Sequence, residues 1–292
     1  MTTPFFDFSP ASIATLAAAD VARALAEDVG PGDLTAALID PARHTRARIL
    51  AREAAVVCGA PWVEATLRQI APTATWTWLV HEGETCAADQ VVLELKGPAQ
   101  ALLTAERTAL NFLQLLSAVA SRTALHVQAV AGTGTHIVDT RKTLPGLRLA
   151  QKYAVRVGGG TNHRIGLYDA VLIKENHIAA AGGVTAVLQR AQALAPQARF
   201  IEIEVETLAQ LDEALDAGAR MVLLDNMDLP SLQEAVRRNT ARGDKKAVLE
   251  ISGGVTLQGL RTLAETGVDR ISIGGLTKDV KATDYSMRFQ DL

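Results

Sequence analysis

DTRKTLPGLRLAQKYAVRVGGGTNHRIGLYDAVLIKENH, residues 139–177, is the stretch on which the reading of this chain turns. It carries Arg141, Lys142, Arg148, Lys152, Arg156, His163, Arg164, Lys174 and His177, against only Asp139, Asp169 and Glu175. The whole chain has a net charge of −3, so these cations are a local concentration. A basic cluster beside short apolar segments suggests a pocket for a small polyanion.

Working outward, short apolar runs alternate with helical patterns after Gly132. Strands are expected at 136–139, 170–174, 200–205, 221–225, 248–251 and 271–273. Helices are expected at 147–157, 183–194, 208–217, 229–238 and 257–266. Repeated βα units predict a parallel sheet covered by helices. Six such strands, with a seventh not placed, suffice for a barrel or for an open doubly wound sheet. In a barrel, polar residues gather at the C-terminal ends of many strands; an open sheet gathers them at one switch point. Here nearly every run ends in polar groups: D-T-R-K at 139, K-E-N at 174, Glu204, Asp225-Asn226, S-G-G at 252 and G-G at 274. The barrel is the better reading.

Residues 1–117 read differently. A helix over 12–28 ends at the breaker cluster V-G-P-G (29–32), and EDVGPGDLT (27–35) reads as a turn with helix capping. Strands are expected at 44–57, 75–81 and 90–96, with a helix over 61–70 and a polar loop over 82–89. Neighbouring strands lie close in sequence, as in an α+β sandwich. Residues 100–130 form one long helical region. Its small-residue zone 117–121 is a candidate break, and Arg107 reads as a solvated helix arginine. Neither net charge nor aromatic-basic interleaving supports a nucleic-acid surface. Cys58 and Cys86 make neither a disulfide framework nor a metal spacing, and suit a reducing, cytoplasmic setting. The N-terminus is a poor signal peptide, and no apolar run is long enough to span a bilayer.

The strand ends suggest three chemistries. Arg141, Lys142, Lys174, His163 and Arg164 would bind a ligand with more than one acidic group, because guanidinium forks match carboxylates and lysine adds a point charge. Any single one of them, alone, reads as a surface charge. Ser252-Gly253-Gly254 and Gly274-Gly275 follow the last two strands, where barrels often cradle phosphate with backbone N–H groups. Either alone is an ordinary turn signal. G-G-G at 158–160 reads as a helix terminator with a flexible loop. I-E-I-E-V-E puts Glu202, Glu204 and Glu206 on one strand face. Glu202 and Glu206 read equally well as a solvated face. Glu204 and Asp225 could face each other across one mouth and hold Mg²⁺, partly through water.

These residues together closely resemble the quinolinate phosphoribosyltransferase family. The matching stretches are EDVGPGDLT (27–35), AERTALNFLQ (105–114), DTRKTLPGLR (139–148), GGGTNHRIGLYDAVLIKENH (158–177), IEVE (203–206), LLDNM (223–227), LEISGGV (249–255) and ISIGGLTK (271–278). The resemblance implies an N-terminal α/β sandwich domain (1–117), onto which the tail 277–292 is expected to pack back. It also implies an incomplete α/β barrel of seven strands (118–276) carrying the active site. The implied reaction moves phosphoribosyl from phosphoribosyl pyrophosphate to quinolinate with decarboxylation. A homodimer, or an assembly of dimers, with a shared active site is implied as well. Arg107 would then reach quinolinate from the partner subunit. Arg141, His163 and Arg164 would hold its carboxylates, with Thr140, Lys142 and Lys174 alongside. Glu204 and Asp225 would meet ribose hydroxyls or Mg²⁺. Ser252, Gly253, Gly254, Gly274 and Gly275 would cradle the 5′-phosphate. Lys278 stands where many members have histidine. Rival readings are transfer to another acid, a non-catalytic binding protein with the pocket retained, and a sugar-phosphate isomerase.

Overall fold

The computed structural model describes residues 6–290. Residues 1–5 of the N-terminal stretch read above lie outside them. The chain divides into two compact units: one comprises the chain up to Ala124, Thr143–Gly159 and the chain from Leu276, and the other Leu125–Lys142 with Gly160–Gly275.

In the first unit, a helix over Pro10–Asp28 opens with Ser9, whose hydroxyl accepts from Ser12 N, and with proline in its first turn. Both devices satisfy or remove orphan N–H groups. Ile13, Ala17, Val21 and Leu25 form its buried stripe. An antiparallel sheet runs in the order Tyr285–Gln290, His44–Ala51, Val91–Pro98, Thr75–Trp78. The C-terminal strand thus completes one edge, with Ala47 opposite Phe289 and Ile49 opposite Met287. Ala47, Ile49 and Ala51 are buried, and Arg46 and Arg48 between them point the other way, the period-two signature of a sheet with one covered face.

Two expectations in this unit change. The single strand over 44–57 is two, His44–Ala51 and Ala55–Val56. The second pairs with Thr85–Cys86, inside the loop read as polar. The helix Ala99–Ala129 is unbroken across 117–121. Its small residues serve contact instead. Ser117 donates to Cys58 O and accepts from Cys58 N, and Ser121 accepts from Val56 N. A Cβ on Gly158 would lie 2.4 Å from Ala120 O. The first glycine of G-G-G therefore lets one helix end approach the long helix, besides terminating Arg148–Val157.

The second unit is a parallel six-stranded sheet in the order His136–Val138, Arg270–Ser272, Val248–Ser252, Met221–Asp225, Ile201–Val205, Val171–Ile173. The first strand in sequence lies beside the last, and the others follow in reverse order. A doubly wound sheet would reverse at a switch point; this order has none. Ile137, Ile203, Val222, Leu224, Leu249, Ile251 and Ile271 are buried, as a sheet covered on both faces requires. A seventh full strand is not formed among the described residues. Thr161 makes a lone parallel bridge to Val138, with Thr161 N on Ile137 O at 2.8 Å and Asp139 N on Thr161 O at 3.1 Å. The segment has no longer ladder because 162–169 turns at once to follow side-chain anchors. The helices between strands fall at Val184–Leu194, Leu208–Asp216, Leu229–Thr240 and Leu260–Ala264. No helix of the described residues is long and apolar enough to cross a membrane.

Candidate functional site

Two buried aspartates shape the loop that carries His163 and Arg164. Asp139, just past the His136–Val138 strand, accepts from His163 N at 2.8 Å and from Asn162 Nδ2 at 2.8 Å. Asp169 accepts from Ile165 N at 2.9 Å and Gly166 N at 2.8 Å. A carboxylate taking backbone N–H bonds fixes a loop that has no ladder of its own. Both aspartates were counted above only as negative charge within a basic stretch. Their work is scaffolding.

The loop sets Arg164 beside Arg141. Arg164 is 8% exposed, and its guanidinium donates to Ala170 O at 3.3 Å. Burial, then the charge of Arg141, holds its guanidinium below the usual value, and Asp169 and Glu202 pull the other way. The Nε of Arg141 is buried with no hydrogen-bond partner. Two cations close enough to repel, one with an orphaned donor, are an arrangement that an anion would relieve.

His163 is placed differently from its expected role. Arg164 N donates to His163 Nδ1 at 2.7 Å, so Nδ1 carries no proton and the ring proton sits on Nε2. Nε2 meets Glu202 Oε2 at 2.7 Å, with Glu250 Oε1 at 3.7 Å. Both ring nitrogens are therefore occupied by protein, and the imidazole supports Arg164 from beneath. Glu202 is fully buried, which corrects the solvated-face reading; Glu206 is exposed. Burial pushes Glu202 up to about 7 against the pull of Arg270 and Arg164. Burial and the charge of Glu202 also raise Glu250 to about 7, and Arg270 Nε stands 3.1 Å from Glu250 Oε2. His163, Glu202 and Glu250 offer ligand atoms within 4.8 Å of one another. A protonated Nε2 cannot ligate, and Arg270 already supplies positive charge. The cluster is a proton-sharing network rather than a metal centre. Glu250 and Arg270 escaped the sequence reading; the only signal was a charge inside each of two apolar strands, L-E-I-S and R-I-S.

Glu204 follows Glu202 on the same face and is half-buried. Lys174 Nζ lies 3.6 Å from Glu204 Oε2. Burial pushes Glu204 above the usual carboxylate range; Lys174 opposes that shift, and Asp225 and Glu175 add to it. Asp225 and Glu204 are thus electrostatic neighbours, as expected. Asp225 sits in register with Ser252 on the next strand. The backbone of Lys174 is held by its N–H donating to His177 Nδ1 at 3.0 Å, which starts a short helix, Glu175–Ala181, not anticipated above. On the other side of the sheet, a Cβ at Gly274 would meet Lys142 Cδ at 2.9 Å and Thr140 Oγ1 at 3.5 Å. Thr140 Oγ1 accepts from Lys142 N at 3.1 Å. Gly253 and Gly254 adopt φ of 94° and 59°, backbone that suits only glycine well.

The second unit therefore holds Thr140, Arg141, Lys142, His163, Arg164, Lys174, Glu204, Asp225, Ser252, Gly253, Gly254, Gly274 and Gly275 at or just beyond the C-terminal ends of its strands or in the loops that follow them. Arg107 and Lys278 belong to the first unit. Arg107 is exposed on the helix Ala99–Ala129. Lys278 Nζ forks onto Asp279 at 2.6 and 2.7 Å. The EDVGPGDLT stretch caps as expected. Asp33 accepts from Thr35 N and Ala36 N, and from the Thr104 hydroxyl.

Comparison with known proteins agrees with this geometry. Residues 33–117 match the N-terminal domain, and residues 119–288 the C-terminal domain, of quinolinate phosphoribosyl transferase. The chain is 40% identical over 261 residues to a probable nicotinate-nucleotide pyrophosphorylase (carboxylating) of Bacillus subtilis, covering 89% of each. It is 37% identical to quinolinate phosphoribosyltransferase (decarboxylating) 1 of Nicotiana glauca, covering 91% of this chain and 80% of that one. The solved nicotinate-nucleotide pyrophosphorylase of Francisella tularensis superposes with a TM-score of 0.91 at 40% identity, over 99% of this chain and 100% of that one. The chain belongs to the quinolinate phosphoribosyltransferase family.

Proposed function

We propose that this chain joins quinolinate to the phosphoribosyl group of phosphoribosyl pyrophosphate, releasing pyrophosphate and CO₂ and leaving nicotinate mononucleotide. The observation that carries the reading is the Arg141–Arg164 pair, two neighbouring guanidiniums with one orphaned buried Nε. A pyridine with two adjacent carboxylates would supply the missing acceptors. Thr140 and Lys142 complete that side, and Lys174 flanks it. His163 acts on the ligand through the Arg164 backbone.

The sugar-phosphate side is assigned to Glu204, Asp225 and the glycine ends. Glu204 and Asp225 are oxygen donors that raise each other's affinity for a cation, and they fit Mg²⁺ held partly through water and ligand oxygens. The ion would neutralise charge developing on the pyrophosphate. Ser252, Gly253, Gly254, Gly274 and Gly275 offer backbone N–H groups to the 5′-phosphate. In the reaction, the pyridine nitrogen lone pair attacks C1 of the ribose while the bond from C1 to pyrophosphate oxygen breaks. The ring, now cationic at nitrogen, loses the adjacent carboxylate as CO₂. The electron pair stays on that carbon and takes a proton, for which the Nζ of Lys142 or Lys174 is the donor. The fixed cations act where charge changes and need little reorganisation.

The reading carries a homodimer, in which the exposed Arg107 serves the partner's substrate and Lys278 keeps a positive charge where many members of the family have histidine. It also places the enzyme in the cytoplasm, which suits the free thiols of Cys58 and Cys86. The test is Mg²⁺-dependent formation of nicotinate mononucleotide from quinolinate and phosphoribosyl pyrophosphate, with CO₂ and pyrophosphate released in equal amounts. Equal turnover on nicotinate, or no pyrophosphate release at all, would refute it.

A further inference from the structure

Asn226 follows Asp225 at the end of the Met221–Asp225 strand and sits at φ 51°, left-handed backbone that a non-glycine residue seldom adopts. Its side chain and its backbone each make one bond to the site, and its amide oxygen lies close to Gly253. Nδ2 donates to Asp225 Oδ2 at 2.8 Å. Its backbone N donates to Ser252 O at 3.2 Å. A Cβ built on Gly253 would come within 2.2 Å of its Oδ1.

Each contact has a different consequence. The amide donor uses one lone pair of Asp225 Oδ2 and so restricts which way that carboxylate can point. The backbone bond ties the end of one strand to the end of the next, where the glycine turn begins. The approach to Gly253 means that a side chain at residue 253 would push the Asn226 amide out of its place, besides straining its own backbone. Gly253 thus leaves room for the Asn226 amide, and its φ of 94° favours glycine independently. An exposed asparagine in strained backbone, tied to a site carboxylate and seated on a site glycine, is more than a turn residue.

We infer that Asn226 is a positioning residue that locks the Asp225 carboxylate to the Ser252-Gly253-Gly254 turn, so that the ribose end and the phosphate end of phosphoribosyl pyrophosphate are set as one unit. The inference rests on the assignment of that ligand to this side of the site.

The test replaces Asn226 with glycine. Glycine suits the left-handed backbone, and that gain offsets its greater unfolded-state entropy, so the fold is retained and the melting temperature stays within a few degrees of wild type. What is lost is the amide. The KM for phosphoribosyl pyrophosphate should rise about tenfold, the equivalent of one hydrogen bond to a charged group, while the KM for quinolinate stays within about twofold. Asn226→Asp should be worse than Asn226→Gly, because it exchanges the donor for a second negative charge beside Asp225. Asp225→Ala is the control for the underlying assignment. An unchanged KM for phosphoribosyl pyrophosphate in Asp225→Ala would overturn the assignment and the inference with it. If Asp225→Ala raises that KM but Asn226→Gly behaves as wild type, the assignment stands and Asn226 is only a turn residue.

Discussion

Replacing Arg141 with methionine should move stability and activity in opposite directions. In the free protein, Arg141 Nε is buried without a partner and its charge lies beside that of the largely buried Arg164. A buried unsatisfied donor costs about 1–3 kcal/mol. Methionine covers much of the same volume and removes both that deficit and the repulsion. The gain should be about 1 kcal/mol after some loss of packing, or about 1–2 °C in Tm for a chain of this size. In the complex the same change removes a guanidinium from a substrate carboxylate, at about 2–5 kcal/mol. That corresponds to about 30- to 4,000-fold in kcat/KM for quinolinate. The KM for phosphoribosyl pyrophosphate should change little. Ligand-free thermal melting and steady-state kinetics with each substrate varied in turn read both halves. A variant that melts several degrees lower, or one that keeps kcat/KM for quinolinate within threefold of wild type, would refute the reasoning.

Three further expectations follow from the same geometry. Glu202 and Glu250 each hold a proton up to about 7 in the folded chain. Unfolding lets both ionise, so stability should fall as pH rises from the ordinary carboxylate range to about 7 and then level off. Glu250→Gln should flatten that decline and raise stability at pH 8, as read by urea titration across pH. Gly158→Ala puts a methyl 2.4 Å from Ala120 O, and should lower stability by about 1–3 kcal/mol through overpacking, measurable as a shifted urea midpoint. Glu204→Gln removes one of two neighbouring oxygen charges. It should raise the Mg²⁺ concentration for half-maximal rate by about tenfold or more while leaving quinolinate binding near normal; an unchanged Mg²⁺ dependence would dismiss Glu204 as a metal group.

The parallel sheet was legible because its strands are short apolar runs bounded by polar residues. Met221–Asp225 appears as expected, and Ile201–Val205 differs by one residue at its start. Such strands are buried on both faces, so their sequence carries the pattern locally. The strand Thr85–Cys86 was hidden because it exists only by pairing with Ala55–Val56, some thirty residues away. The zone 117–121 looked like a break because serine side chains compete for backbone hydrogen bonds; here the small residues admit Gly158 and give hydroxyls to Cys58 and Val56. The cations of the site were legible as a cluster, and the glycine ends as turns. The anchors Asp139 and Asp169 were not, since a carboxylate accepting backbone N–H bonds looks the same in sequence as one facing water. His163 was recognised as important, but its direction, inward to Glu202, depends on a tautomer that only three-dimensional neighbours set.

The central claim is that paired guanidiniums make this a pocket for a dicarboxylate. Calorimetric titration of the wild-type protein with quinolinate and with nicotinate, which lacks one carboxylate, tests it most directly. Loss of one charge-assisted contact at about 2–3 kcal/mol predicts nicotinate binding about 30- to 150-fold more weakly. Equal affinity for the two acids would contradict the account.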